Sequence, residues 1–199
     1  MSRWKLKEIV MMSVLSVVFA VIYLLFLQLG NVLTGFMGPM GYEVIFGIWF
    51  IVSVIAANVI RKPGAALLAE VVASIVELLI GNAVGPRLIL SGFIQGVGAE
   101  LVFAAVRYKR FGTPVLMAAG MGSAVTSFIW GYFISGFAAL APGYVAAMFA
   151  VRLISGALLA GLLGKWICDA LLKTGALRGF AIASAERNQG RAGRGESLA

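Results

Sequence analysis

The chain has 199 residues, 61% of them hydrophobic and 12% charged, with a net charge of +8 and a mean hydropathy of +1.01. A soluble domain carries about 25% charged and 45–50% apolar residues, so this composition excludes a water-soluble fold. At about 20 residues per crossing, the length allows six or seven spans with short loops and leaves no room for an attached soluble catalytic or nucleotide-binding domain.

The first apolar run, Ile9 to Leu29, follows Arg3, Lys5 and Lys7. It exceeds the 7–15 apolar residues of a cleavable signal and is closed by no small-x-small site, so it reads as a true membrane helix. Further runs follow over Gly41 to Ile60, Gly64 to Ile80, Leu88 to Val106, Pro114 to Ser135 and Tyr144 to about Leu172. Gly38-Pro39, Pro63-Gly64, Gly85-Pro86, Pro114 and Pro142-Gly143 punctuate the junctions. The expected fold is an all-α, polytopic membrane protein of six transmembrane helices over residues 1–174, followed by a basic, flexible cytoplasmic tail over 175–199 that is rich in Gly, Ala, Ser and Arg.

Charge orients this bundle. Arg3, Lys5 and Lys7, then Arg61 and Lys62, then Arg107, Lys109 and Arg110, and finally the tail residues Lys165, Lys173, Arg178, Arg187, Arg191 and Arg194 fall on alternate sides of successive runs, and therefore on one face of the membrane. The loops expected on the other face carry only Arg87. Short cytoplasmic loops retain Lys and Arg, so both ends are expected in the cytosol of a bacterial cell, with the chain in its inner membrane. Basic residues placed this way set topology, and a nucleic-acid partner is not expected. With no histidine and a single cysteine, Cys168, the chain lacks the commonest metal ligand and any internal disulfide, and no metal or cofactor is expected.

Four of the eight acidic residues, Glu43, Glu70, Glu77 and Glu100, fall inside apolar runs. A charged side chain in hydrocarbon costs about 2.5–3.5 kcal/mol on insertion scales, so these carboxylates must face the interior, and a binding site is the default reason for them. At 1.5 Å per residue, Glu77 lies about 10 Å further out than Glu70 on nearly the same helix face, while Glu100 is level with Glu70. Glu43, Trp49, Gln95, Trp130 and Arg152 fall in the outer half. The simplest construction is an outward-facing pocket lined by Glu43, Trp49, Glu77, Gln95, Trp130 and Tyr132. Its ligand would be cationic or rich in donors, and flat enough to stack on an indole. The structural alternative pairs Glu43 and Glu77 with Arg87 and Arg152, and leaves Glu70 and Glu100 protonated and hydrogen-bonded to each other or to backbone.

Small residues recur at four-residue spacing on the first run (Ser16 to Ala20), the fourth (Gly92 to Gly96) and the sixth (Gly156 to Ala160, Ala157 to Gly161), which lets helix backbones approach closely. Either tight packing within the bundle or a docking face for a partner membrane protein follows, the latter for Ser13, Ser16 and Ala20.

The strings GPMGYEVIFGIWF at 38–50, RKPGAALLAE at 61–70, ASIVELLIGN at 73–82 and SGFIQGVGAELVFA at 91–104 narrow the reading. With the Gly/Ala-rich helices and the small-residue face of the first, they resemble the substrate-binding S components of energy-coupling-factor (ECF) vitamin transporters, of the YkoE type. The resemblance covers about residues 5–172. It implies a protein that binds thiamine or its hydroxymethylpyrimidine precursor from outside and delivers it while bound to a transmembrane coupling subunit and two ATPases. It carries over Glu70, Glu77, Gln95 and Glu100 as polar contacts, with the tryptophans for stacking, and Ser16 to Ala20 as the contact with the coupling subunit. A stand-alone proton-coupled transporter of organic cations would use the same glutamates. An enzyme is not expected, since no nucleophile motif, Walker motif or metal set accompanies them.

Overall fold

A computed structural model describes residues 3–185, and no strand occurs among them, so the all-α expectation holds. Helix α1 (Leu6–Met37) is followed by α2 (Met40–Ile45), a 3₁₀ turn (Phe46–Phe50) and α3 (Ile51–Ile60); then come α4 (Ala65–Ile80), α5 (Arg87–Ala105) and α6 (Thr113–Ile134). A last long run consists of α7 (Pro142–Ser155), a π-helical segment (Gly156–Leu163) and α8 (Gly164–Lys173). Among the described residues, five helical runs are long and apolar enough to cross a bilayer: Leu6–Met37, Met40–Ile60, Arg87–Ala105, Thr113–Ile134 and Pro142–Lys173. The remaining run, α4, has 16 residues and rises only about 24 Å, short of a full hydrocarbon core.

The boundaries follow local chemistry. Helix α1 runs past the expected Leu29 because nothing breaks it before Gly38-Pro39. Helix α4 is bracketed by Gly64 (φ +86°) and Gly81 (φ +114°), both in the left-handed region where a side chain is disfavoured. The central run is interrupted at Phe46–Phe50, where the Gly47 N–H donates to Ser155 Oγ at 2.9 Å across to α7. Every residue of α3 is buried, which suits a segment that is hydrophobic on all sides and surrounded by other helices. The outer helices keep apolar residues exposed, among them Val14, Val17, Val21 and Leu25 of α1, as a lipid-facing surface requires.

The small-residue spacings are packing devices. A Cβ at Gly92 would lie 2.5 Å from Ser74 Oγ of α4, and one at Gly156 2.6 Å from the Gly120 carbonyl of α6. Close approach at Gly120, Gly156 and Gly161 seats the π segment against α6. On α1, Ser16 and Ala20 are fully buried, and Ser16 Oγ donates to the Ala69 carbonyl of α4 at 2.8 Å. The docking face expected at Ser13, Ser16 and Ala20 is therefore spent inside the bundle, except for half-buried Ser13. Small side chains serve helix contact wherever a neighbouring helix needs it, and here that neighbour is α4.

One end of the bundle collects the basic segments. Lys62 Nζ reaches Glu8 at 2.6 Å and the Arg3 carbonyl at 2.8 Å, Lys7 Nζ reaches the Gly179 carbonyl, and the Arg61 guanidinium lies 4.8 Å from the Phe111 ring. The first part of the expected flexible tail belongs to this end and is packed: Leu177 is fully buried and Ile182 nearly so. Those two side chains give residues 175–185 an apolar anchor that their Gly/Ala-rich composition hid. The tail from residue 186 lies outside the described residues.

Candidate functional site

At the opposite end, the last turns of α1, α2, the first half of α5, the end of α6, the link that follows it and Arg152 near the end of α7 enclose a cavity of about 420 Å³. Its base is an ion pair. Arg152 donates from Nε and Nη2 to the two oxygens of Glu43, the second bond at 2.6 Å, and both residues are almost completely buried. The guanidinium also lies 3.7 Å from the Phe46 ring centroid and 5.0 Å from that of Phe128, so its flat faces rest on aromatics while its edge meets the carboxylate. This geometry joins α2 to α7 beneath the cavity.

The walls combine ring faces with polar groups. Trp130 Nε1 donates to Ser91 Oγ at 3.1 Å across α6 and α5. Tyr42 donates its hydroxyl to Asn31 of α1. Gln95, on the same face of α5 as Ser91 and one turn on, lines the cavity, and its side-chain amide has no hydrogen-bond partner among the described residues. Thr34 Oγ1 is the one buried side-chain polar atom among the described residues with no hydrogen-bond partner, and Thr34 lines the same cavity. Buried polar atoms are normally paired, so an orphan on a residue of the cavity wall marks a place for a ligand's complementary group. Arg87 stands exposed at the rim, making no ion pair among the described residues.

Of the residues singled out from the sequence, Glu43, Gln95 and Trp130 meet here. Trp49 does not line the cavity; it lies behind it, with its ring centroid 5.9 Å from Tyr42 and 5.7 Å from Phe46, because the 3₁₀ turn rotates it away. Glu77 is buried behind the α4–α5 loop, where it accepts from Asn82 Nδ2 at 2.5 Å; Asn82 Oδ1 in turn accepts from the Val84 N–H at 2.8 Å, and Val84 forms part of the cavity wall. Glu77 thus fixes a wall from outside. Glu70 is buried between α4 and α3, accepting from Ser53 Oγ at 2.7 Å. Glu100 is not level with Glu70. It caps the start of α4, accepting from the N–H groups of Gly64 (2.6 Å), Ala66 (3.0 Å) and Leu67 (3.2 Å) and from the Tyr108 hydroxyl (2.7 Å). Tyr132 points instead into an apolar groove of about 600 Å³ between α6 and α7, 37% exposed.

Thr34, Tyr42 and Ser91 went unmarked in the sequence. Ser91 carries a signal, four residues before Gln95 on a helix, whereas Thr34 becomes part of the site only because α1 extends beyond the run of hydrophobic residues.

Residues 7–126 match the family model described as the ABC-type cobalt transport system, permease component. The chain is 62% identical over 182 residues to the "Putative HMP/thiamine permease protein YkoE" of Bacillus subtilis (strain 168), covering 92% of each chain. It is also similar to a solved structure described as an S-component of ECF transporter, at 57% identity and a TM-score of 0.93, with 99% of each chain covered. These relatives are transport components, not enzymes.

Proposed function

Because the chain belongs to the YkoE-type family of ECF transporter S components, we propose that its 420 Å³ cavity binds thiamine or hydroxymethylpyrimidine on the outer side of the bacterial inner membrane. The protein then passes the compound on with a transmembrane coupling subunit and two ATPases. The observation that carries this reading is a cavity of small-molecule size holding an unpaired amide (Gln95) and an orphan hydroxyl (Thr34) beside the Trp130 ring. An aminopyrimidine, common to both compounds, offers a flat face and a donor–acceptor edge to such a set. Glu43 is already matched by Arg152, so recognition rests on hydrogen bonds and ring faces, with the faces of Trp130 and Tyr42 available to a thiazolium. The cavity opens at the end away from the basic segments, which are retained in the cytoplasm, so it faces outward with both termini inside. In this arrangement α4 is the sixth, short span, its length made up by the loops around it.

Tryptophan fluorescence of the purified chain in detergent, titrated with each compound, tests the assignment. Wild type is expected to respond to at least one of them, and Gln95→Leu to weaken binding about 10- to 100-fold. A folded wild type that responds to neither refutes the assignment.

Thr34→Val gives a second, sharper expectation, because it removes the orphan hydroxyl at constant shape. The empty protein should be unchanged or more stable by about 1 kcal/mol, while ligand affinity falls about tenfold. Wild-type affinity in this variant, measured by the same titration, would remove Thr34 from the site.

A further inference from the structure

The basic end of the bundle holds a concavity of about 620 Å³, separate from the cavity described above. It is bounded by the end of α3 and its cap (Asn58, Arg61), the α5–α6 link (Lys109 to Gly112), the first turn of α6 (Pro114, Val115), α8 (Lys165, Asp169) and Ile182. Four cations meet one carboxylate here. Lys165 and Asp169 satisfy each other one turn apart on α8. Arg61 is steered by its own neighbours, with Nε donating to the Asn58 carbonyl at 3.1 Å and the guanidinium resting over Phe111. Lys109 and Arg110 are exposed and make no ion pair among the described residues. A recess of about 300 Å³ beside them adds Arg107.

Two further features point to the kind of ligand. Helix α6 begins in the wall, where Gly112 is its N-cap and Pro114 and Val115 lie in its first turn, so the positive end of a 22-residue helix adds to the side-chain charge. Phe111, Pro114, Val115 and Ile182 supply an apolar border, which suits an anion carrying hydrocarbon better than a bare ion. The volume exceeds what a single inorganic anion fills, and guanidinium groups match phosphate oxygens in pairs. We propose that this concavity is a binding site for a phosphate-bearing anion held by Arg61, Lys109 and Arg110. Its source is either a phospholipid headgroup at the membrane surface or a soluble phosphate ester. The site goes beyond the vitamin-binding reading and shares no residue with it.

The test follows thermal unfolding of the full-length chain in detergent, with added phosphatidylglycerol, phosphatidylcholine of the same acyl chains, or glycerol 3-phosphate. Wild type and the double variant K109Q/R110Q are compared at low and high ionic strength. Phosphatidylglycerol is expected to raise the melting temperature of wild type where phosphatidylcholine does not, and the effect should shrink with salt. The double variant should need about 25-fold more lipid, roughly fivefold for each charge removed. Protection by glycerol 3-phosphate that competes with the lipid identifies a soluble ester as the ligand; protection by phosphatidylglycerol alone identifies the headgroup. Equal protection by both lipids, a wild-type dose response in the double variant, or no protection in any arm overturns the site. Both side chains are exposed, so the variant's unliganded melting temperature and vitamin affinity should match wild type and serve as the folding control.

Discussion

Arg152→Met is expected to destabilise the protein by about 3–5 kcal/mol and to abolish ligand binding, because it leaves the Glu43 carboxylate buried without its partner. Both members of the pair are almost inaccessible, and two hydrogen bonds join them in the fork geometry that binds a carboxylate most strongly. The pair is also the tie between α2 and α7, which bracket the cavity, so the loss extends to the shape of the site. Replacing both residues, Glu43→Leu with Arg152→Met, should restore part of the stability, since apolar groups of similar size can substitute for a buried ion pair while a lone charge cannot remain there at low cost. Unfolding in detergent of Arg152→Met, Glu43→Leu and the double variant measures this. If both single variants fall within about 1 kcal/mol of wild type, or the double variant is worse than either, the pair does not hold the site together.

Glu100→Ala is the second large effect, expected at about 3 kcal/mol, with the loss confined to stability. The carboxylate accepts three N–H groups at the start of α4, which otherwise has no side-chain cap because its N-cap is Gly64. Tyr108 completes the set. Burial first, and then its hydrogen bond to Glu100, push the Tyr108 phenol well above its ordinary range, so it stays protonated and donating at any physiological pH. Two left-handed residues in succession, Arg107 and Tyr108 (φ +55° each), turn the chain back so that this hydroxyl can reach. Hydrogen exchange should show the first turn of α4 opening in the variant, while molecules that remain folded bind ligand as wild type does. A selective loss of affinity at unchanged stability would instead give Glu100 a place in recognition.

The contrast between these two glutamates shows what the sequence could convey. Hydropathy and Gly/Pro punctuation place nearly every helix, and the cost of burying charge correctly sends Glu43, Glu70 and Glu77 to the interior. Which interior surface each one meets depends on helix rotation and on breaks that periodicity does not report. Glu70 and Glu77 do share a face of α4 as their spacing requires, but that face meets α1 and α3, and the cavity lies elsewhere. A proton-coupled transporter would need one of them on the ligand's path, and neither lines the cavity. The pairing of two carboxylates with two arginines was half correct: Arg152 takes Glu43, while Glu77 takes an asparagine and Arg87 stays at the rim. Trp49 illustrates the effect of a backbone break, since a continuous α-helix over Gly41 to Ile60 would have turned it differently. Small-residue spacing signals close approach without naming the neighbour, and on α1 the neighbour turned out to be within the chain.

The ion pair at the base of the cavity bears on how anything seated there can travel. Beyond Glu43 and the 3₁₀ turn the chain runs into α3, whose ten residues, mostly Ile, Val and Ala but with Ser53 and Asn58 among them, are all buried. With that buried ion pair at its base and an exposed Arg87 at its rim, the cavity has the form of a cup. If the proposed compound is carried across the bilayer from such a cup, either the whole cup changes its attitude in the membrane or the helices around α3 part company. The first alternative leaves the packed core untouched, and the work it requires is done against lipid instead of against the fold.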